Sequence, residues 1–149
     1  MPHTDERFYK MALNWTDDPK VADLFRFGQV EGVLARDLFS QMIRYSRANL
    51  TDGVGPGALL ASLSGQGEDH ARQLAAHLAD PGSWGPLVEL STDEGTGRIV
   101  TWRVLAYARW NDTKADVDAR TEAGRTGARA RWNGADRNAD RNAGRNAKR

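Results

Sequence analysis

The chain has 149 residues, 28% charged and 40% hydrophobic, with 21 Lys/Arg against 20 Asp/Glu and no cysteine. That length allows one compact domain of roughly 100 residues plus an appendage, and the lack of thiols excludes disulfides and thiolate zinc sites. No stretch reaches the ~18 apolar residues of a membrane span, and the polar start Met1-Pro2-His3-Thr4-Asp5-Glu6-Arg7 leads into no apolar run of signal-peptide length. A cytoplasmic protein without a membrane partner is expected.

Phe8–Trp15 roughly alternates in polarity and is rich in aromatics, the pattern of a strand. Thr16-Asp17-Asp18-Pro19 then supplies capping residues and a proline for a first helical turn, and a short helix is expected from Lys20 to about Phe27, ended by Gly28. Gln29 to Ala48 is the strongest helical segment. Its apolar residues Val30, Val33, Leu34, Leu38, Met42, Ile43 and Tyr45 fall mostly three and four apart, so the stripe reads as core. Asn49-Leu50-Thr51-Asp52-Gly53-Val54-Gly55-Pro56 breaks this helix, with a one- or two-residue strand at Val54.

A second short helix spans Gly57 to Leu63 and closes at Ser64-Gly65-Gln66-Gly67. The next helix, Glu68 to Ala79, gives Leu74, Ala75 and Leu78 to the core and His70, Arg72, Gln73 and His77 to the other face. After the turn Asp80-Pro81-Gly82-Ser83 come two β-prone runs, Leu87–Leu90 and Arg98–Val104, joined by a polar, glycine-bearing loop at Ser91–Gly97. Trp102, Leu105, Tyr107 and Trp110 close the domain near residue 112.

Asn111-Asp112-Thr113 is a further helix cap, and Lys114 to about Trp132 reads as a charged helix with little apolar face. From Asn133 on, Arg-Asn-Ala recurs every four residues without a large apolar side chain. Such a segment cannot offset its own ordering entropy and is expected to be disordered when free. The organisation expected is thus a domain over 1–112, a helical extension over 113–132 and a basic tail over 133–149. Residues 113–149 hold ten Lys/Arg against five Asp/Glu, a net of +5, whereas residues 1–112 hold eleven against fifteen, a net of −4. A split of this kind suggests a globular body with an arm for a polyanion.

Helix–helix–turn–helix followed by a two-stranded hairpin is the order of a winged helix-turn-helix, so the fold class expected is α+β, mainly α. By position Glu68–Ala79 is the recognition helix. His70, Arg72, Gln73 and His77 are its candidate DNA contacts, and Arg98 and Arg103 those of the wing. The acids Glu68 and Asp69 at its start equally suit a simple helix cap. Arg125, Arg129, Arg131, Arg137, Arg141, Arg145, Lys148 and Arg149 are the candidate phosphate contacts of the arm.

No catalytic, metal or cofactor constellation emerges, and a non-enzyme is expected. His70 and His77 are seven apart, whereas metal pairs sit three or four apart. Asp17-Asp18 and Glu68-Asp69 read as caps. Gly95-Thr96-Gly97-Arg98 sits in a hairpin rather than between strand and helix, and no serine stands in a nucleophile elbow.

Three stretches together resemble the small winged-helix proteins of actinobacterial phages and prophages, relatives of phage replisome organisers and replication-initiation proteins. They are Asn49–Pro56, Trp84-Gly85-Pro86-Leu87-Val88, and Tyr107–Val117 continued by Ala123–Trp132. The resemblance covers about residues 8–132 and implies action at a replication origin or in helicase loading, with DNA and a replicative helicase or other replication protein as partners. A protein-docking winged helix and a dimeric transcriptional repressor are the competing readings, the latter with a dimer contact along Lys114–Trp132.

Overall fold

The computed structural model describes residues 18–146, and the chain divides into two compact units, Met1–Asn111 and Asp112–Arg149. The strand expected at Phe8–Trp15 lies outside the described residues.

The body is mainly helical with a small antiparallel sheet. Helix α1 (Pro19–Ala22) starts where the Asp18 side chain accepts from the Lys20 N–H at 2.9 Å and proline occupies the first position. It tightens into a 3-10 turn over Asp23–Phe27, so the short helix expected from Lys20 to Phe27 is two pieces. Gly28, at φ +112°, then redirects the chain into α2 (Gln29–Asn49), a backbone setting that suits only glycine.

The buried face of α2 is Ala35, Leu38, Phe39, Met42 and Ile43, at spacings of three, four, seven and eight. Val30 and Val33 do not belong to it. They are 71% and 38% exposed, a correction to the expected stripe. At 100° per residue, position 33 stands on the side of the helix away from Leu38, so local spacing alone joined two different faces.

Strand β1 (Val54–Pro56), a 3-10 turn (Gly57–Leu59), α3 (Leu60–Ser64) and α4 (Glu68–Ala79) follow. Ala71, Leu74, Ala75 and Leu78 of α4 are buried, and burial of each leucine contributes about 1.5–3 kcal/mol. Strands β2 (Val88–Thr92) and β3 (Ile99–Val104) form the hairpin, and the sheet order is β1-β3-β2, antiparallel throughout. Leu90 faces Trp102 and Val88 faces Val104, with an irregularity at Ser91/Thr92. A one-turn helix, α5 (Tyr107–Trp110), ends the body.

β1 is three residues long, and its pairing with β3 sets Gly55 opposite Trp102. The Trp102 side chain is fully buried, its Nε1–H donates to the Pro56 carbonyl at 3.0 Å, and Tyr45 of α2 meets it edge-on at 5.8 Å. A Cβ on Gly55 would overlap the indole ring. Gly55→Ala is therefore expected to destabilise the body by about 1–3 kcal/mol, the usual cost of overpacking. A lowered urea midpoint at unchanged m-value checks this.

Candidate nucleic-acid interface

Helix α4 carries three kinds of side chain. Its core residues face inward, while Asp69, Arg72, Gln73 and Ala76 are exposed on the opposite side. Arg72 donates to Asp69 Oδ1 at 2.8 Å, one helical turn back, so its charge is largely matched within α4 itself. Gln73 stands exposed beside that pair.

The two histidines lie elsewhere. His70 Nε2 is 2.6 Å from Glu31 Oε1, His77 Nε2 is 3.4 Å from Glu31 Oε2, and the His77 ring stacks on Phe27 at 3.8 Å. His70 Nδ1 is also within 3.2 Å of Gln66 Oε1. Both imidazoles are thus turned toward the first turn of α2 and the residues before it, not outward with Arg72 and Gln73. A spacing of seven brings two side chains onto the same flank two turns apart, and here that flank borders α2. Glu31, which the sequence does not single out, is the residue that gathers both imidazoles. Its partners come from 39 and 46 positions along the chain, and nothing local signals such pairing. Among the described residues no group of three His, Asp or Glu side chains is arranged to hold a metal ion. No described helix is long and apolar enough to cross a membrane.

The hairpin separates its two arginines. Arg98 lines a cleft of about 250 Å3 together with Arg72, Glu68 and Asp69, over an apolar floor that includes Leu60 and Ile99. The sequence gives no local sign of this cleft. Arg103 lies between the inward-facing Trp102 and Val104, hence on the outer face of the sheet, opposite Glu89. The loop between the strands closes through Asp93 N–H to the Arg98 carbonyl at 2.8 Å and Gly97 N–H to the Asp93 carbonyl at 2.7 Å. Its exposed acids are Asp93 and Glu94, a poor complement to a phosphate backbone.

In the second unit, α6 (Lys114–Asn146) is a single helix of 33 residues. The structure carries it past Trp132, where an unstructured tail was expected to begin. Residues 133–146 contain no proline, yet beside three alanines and three arginines they hold four asparagines, two glycines and two aspartates, all weak helix formers, so intrinsic propensity does not by itself account for the continuation. Arg125, Arg129 and Arg131 are exposed on it, with Arg125 3.9 Å from Glu122. Arg137, Arg141 and Arg145 follow at four-residue intervals along the same helix, and Lys148 and Arg149 lie outside the described residues. Trp132 is 74% exposed.

The start of α6 is a reciprocal cap. Thr113 donates to Asp116 Oδ2 through both its backbone N–H (2.9 Å) and its hydroxyl (2.8 Å), and the Asp116 N–H donates back to Thr113 Oγ1. These Thr113 bonds, backbone first, and more weakly the Arg120 charge hold the Asp116 carboxyl below its ordinary pKa. Arg120 in turn pairs with Asp112, which raises its pKa.

Comparison with family models, curated proteins and solved structures yields no match.

A carboxyl with a depressed folded pKa stabilises the fold above its unfolded value of about 3.9 and loses that contribution as pH falls through the folded value. The NMR shift of the Thr113 amide is thus expected to titrate with a midpoint below about 3.9. Asp116→Ala is expected to abolish that titration and to fray the first turn of α6.

Proposed function

We propose that this chain is a nucleic-acid-binding protein in which α6 carries the phosphate contact and the body is a winged-helix module that docks a second protein. The observation that carries the reading is the division of charge. Residues 112–149 hold ten Lys/Arg against six Asp/Glu, a net of +4, while residues 1–111 hold eleven against fourteen, a net of −3. A polyanion is attracted to the first and repelled by the second.

The order α2, β1, α3, α4, β2, β3 and the sheet order β1-β3-β2 support the winged-helix reading. On that reading α4 stands at the recognition position and the Asp93–Gly97 loop at the tip of the wing. Asp69 paired with Arg72, the adjacent Glu68, and the acids Asp93 and Glu94 favour protein docking over phosphate contact for this surface. The replication role implied by the resemblance then belongs to the assembly: the body holds a replicative helicase or another replication protein, and α6 holds DNA. A second reading, in which α4 itself reads base edges, rests on Arg72 and Gln73, both exposed side by side.

Fluorescence anisotropy of the full chain with a labelled mixed-sequence duplex, across a salt series, separates these readings. Replacing Arg131, Arg137, Arg141 and Arg145 together by glutamine is expected to lower the slope of log affinity against log salt by about 3.6, at about 0.9 per lost phosphate contact. Arg72→Ala with Gln73→Ala is expected to leave affinity unchanged. An unaltered slope in the fourfold variant would remove the nucleic-acid reading. A selective loss of one duplex in the Arg72/Gln73 variant would favour direct readout by α4.

A further inference from the structure

The continuation of α6 to Asn146 gives its charges an angular order that the sequence alone does not display. Each residue advances about 100° around a helix. Beyond the first turn, from 117 to 146, Arg120, Arg131, Arg137, Arg141 and Arg145 occupy positions within a sector of about 120° that holds no acid. The acids of that span, Asp118, Glu122, Asp136 and Asp140, occupy positions within about 40° of one another, centred roughly 140° away. Arg125 and Arg129 sit among those acids, and Arg125 is already beside Glu122. Between the two charged sectors runs a third, with Val117, Gly124, Ala128, Trp132, Ala135 and Ala139. A segment that met its ligand as an unstructured arm would have no use for this ordering, since every arginine would reach a phosphate equally well.

We propose that α6 engages duplex DNA as a folded helix and through one face only, the arginine sector at positions 131, 137, 141 and 145, with Arg125 and Arg129 turned away as partners of the acidic sector. This rests on the nucleic-acid reading above. Arg120 lies in the same sector but is paired with Asp112, which leaves the stretch from 131 to 145, about 21 Å of helix at 1.5 Å per residue. The acid-lined sector sets the orientation, because rotating the helix would bring carboxylates against phosphates.

The test moves arginines around the helix without changing composition. In the full chain, Ala135→Arg, Arg137→Ala, Ala139→Arg and Arg141→Ala together keep the net charge, the four-residue spacing and two strong helix formers, while taking two arginines off the proposed face. Far-UV circular dichroism verifies equal helix content. With the same labelled duplex and salt series, the relocated variant is expected to lose about 1.8 from the salt slope, the signature of two lost phosphate contacts. Arg125→Gln with Arg129→Gln is expected to leave the slope unchanged. A relocated variant with the parental slope, or an equal drop for the Arg125/Arg129 pair, would overturn the one-face inference. If the fourfold glutamine variant still lowers the slope in that case, nucleic-acid binding stands and only the face assignment falls. If it does not, both fall together.

Discussion

The indole of Trp102 is the contact on which the arrangement of the body depends. It is wholly buried, yet it carries an N–H that cannot be left without an acceptor at modest cost. The Pro56 carbonyl provides that acceptor at 3.0 Å. To do so the 54–56 segment must lie flat against β3, and only a residue without a side chain fits at 55. Tyr45 of α2 meets the ring edge-on. One side chain thus joins the long helix, the short strand and the hairpin, and the remaining apolar burial, Leu24, Leu38, Phe39, Leu74 and Leu78, fills the space that this junction defines.

The two units solve different problems of charge. In the body, polar partners meet in pairs and clusters: Asp69 with Arg72, and Glu31 with the ring nitrogens of His70 and His77. Matched surfaces bind other matched surfaces by shape and by orientation of pairs rather than by net field. Beyond its first turn, α6 places its acids, Asp118, Glu122, Asp136 and Asp140, at positions apart from five of its seven arginines, so the charge along it is ordered by direction.

Much of the body was legible because its elements obey one rule each. The span of α4, Glu68–Ala79, follows from Leu74, Ala75 and Leu78 between Gly67 and the Asp80-Pro81 break, and the hairpin follows from its glycine-bearing polar loop. What was not legible involves partners distant in sequence. Val30 and Val33 continue the apolar spacing of α2 but face away from its neighbours. His70 and His77 look like an outward pair until Glu31 and Phe27 are placed beside them. The length of α6 is illegible in the sequence for another reason. The absence of large apolar residues argues against a packed core, which is a different matter from an argument against a helix. With only three alanines and three arginines among residues 133–146, against eight weak helix formers, composition does not make the continuation legible.

The sheet also has a temporal side. β2 and β3 are neighbours in sequence and meet across a loop of a few residues, a contact that closes in microseconds. β1 meets β3 only after the chain has passed through α3, α4 and the hairpin, because Pro56 pairs with Thr101. Bringing such distant segments together carries a loop-closure entropy that a three-residue strand cannot repay by its own ladder bonds. Its return comes from seating Trp102. The short strand is therefore anchored less by its ladder than by the indole, which it shares with α2 through Tyr45 and with the hairpin through β3, so one side chain ties the helical layer to the sheet.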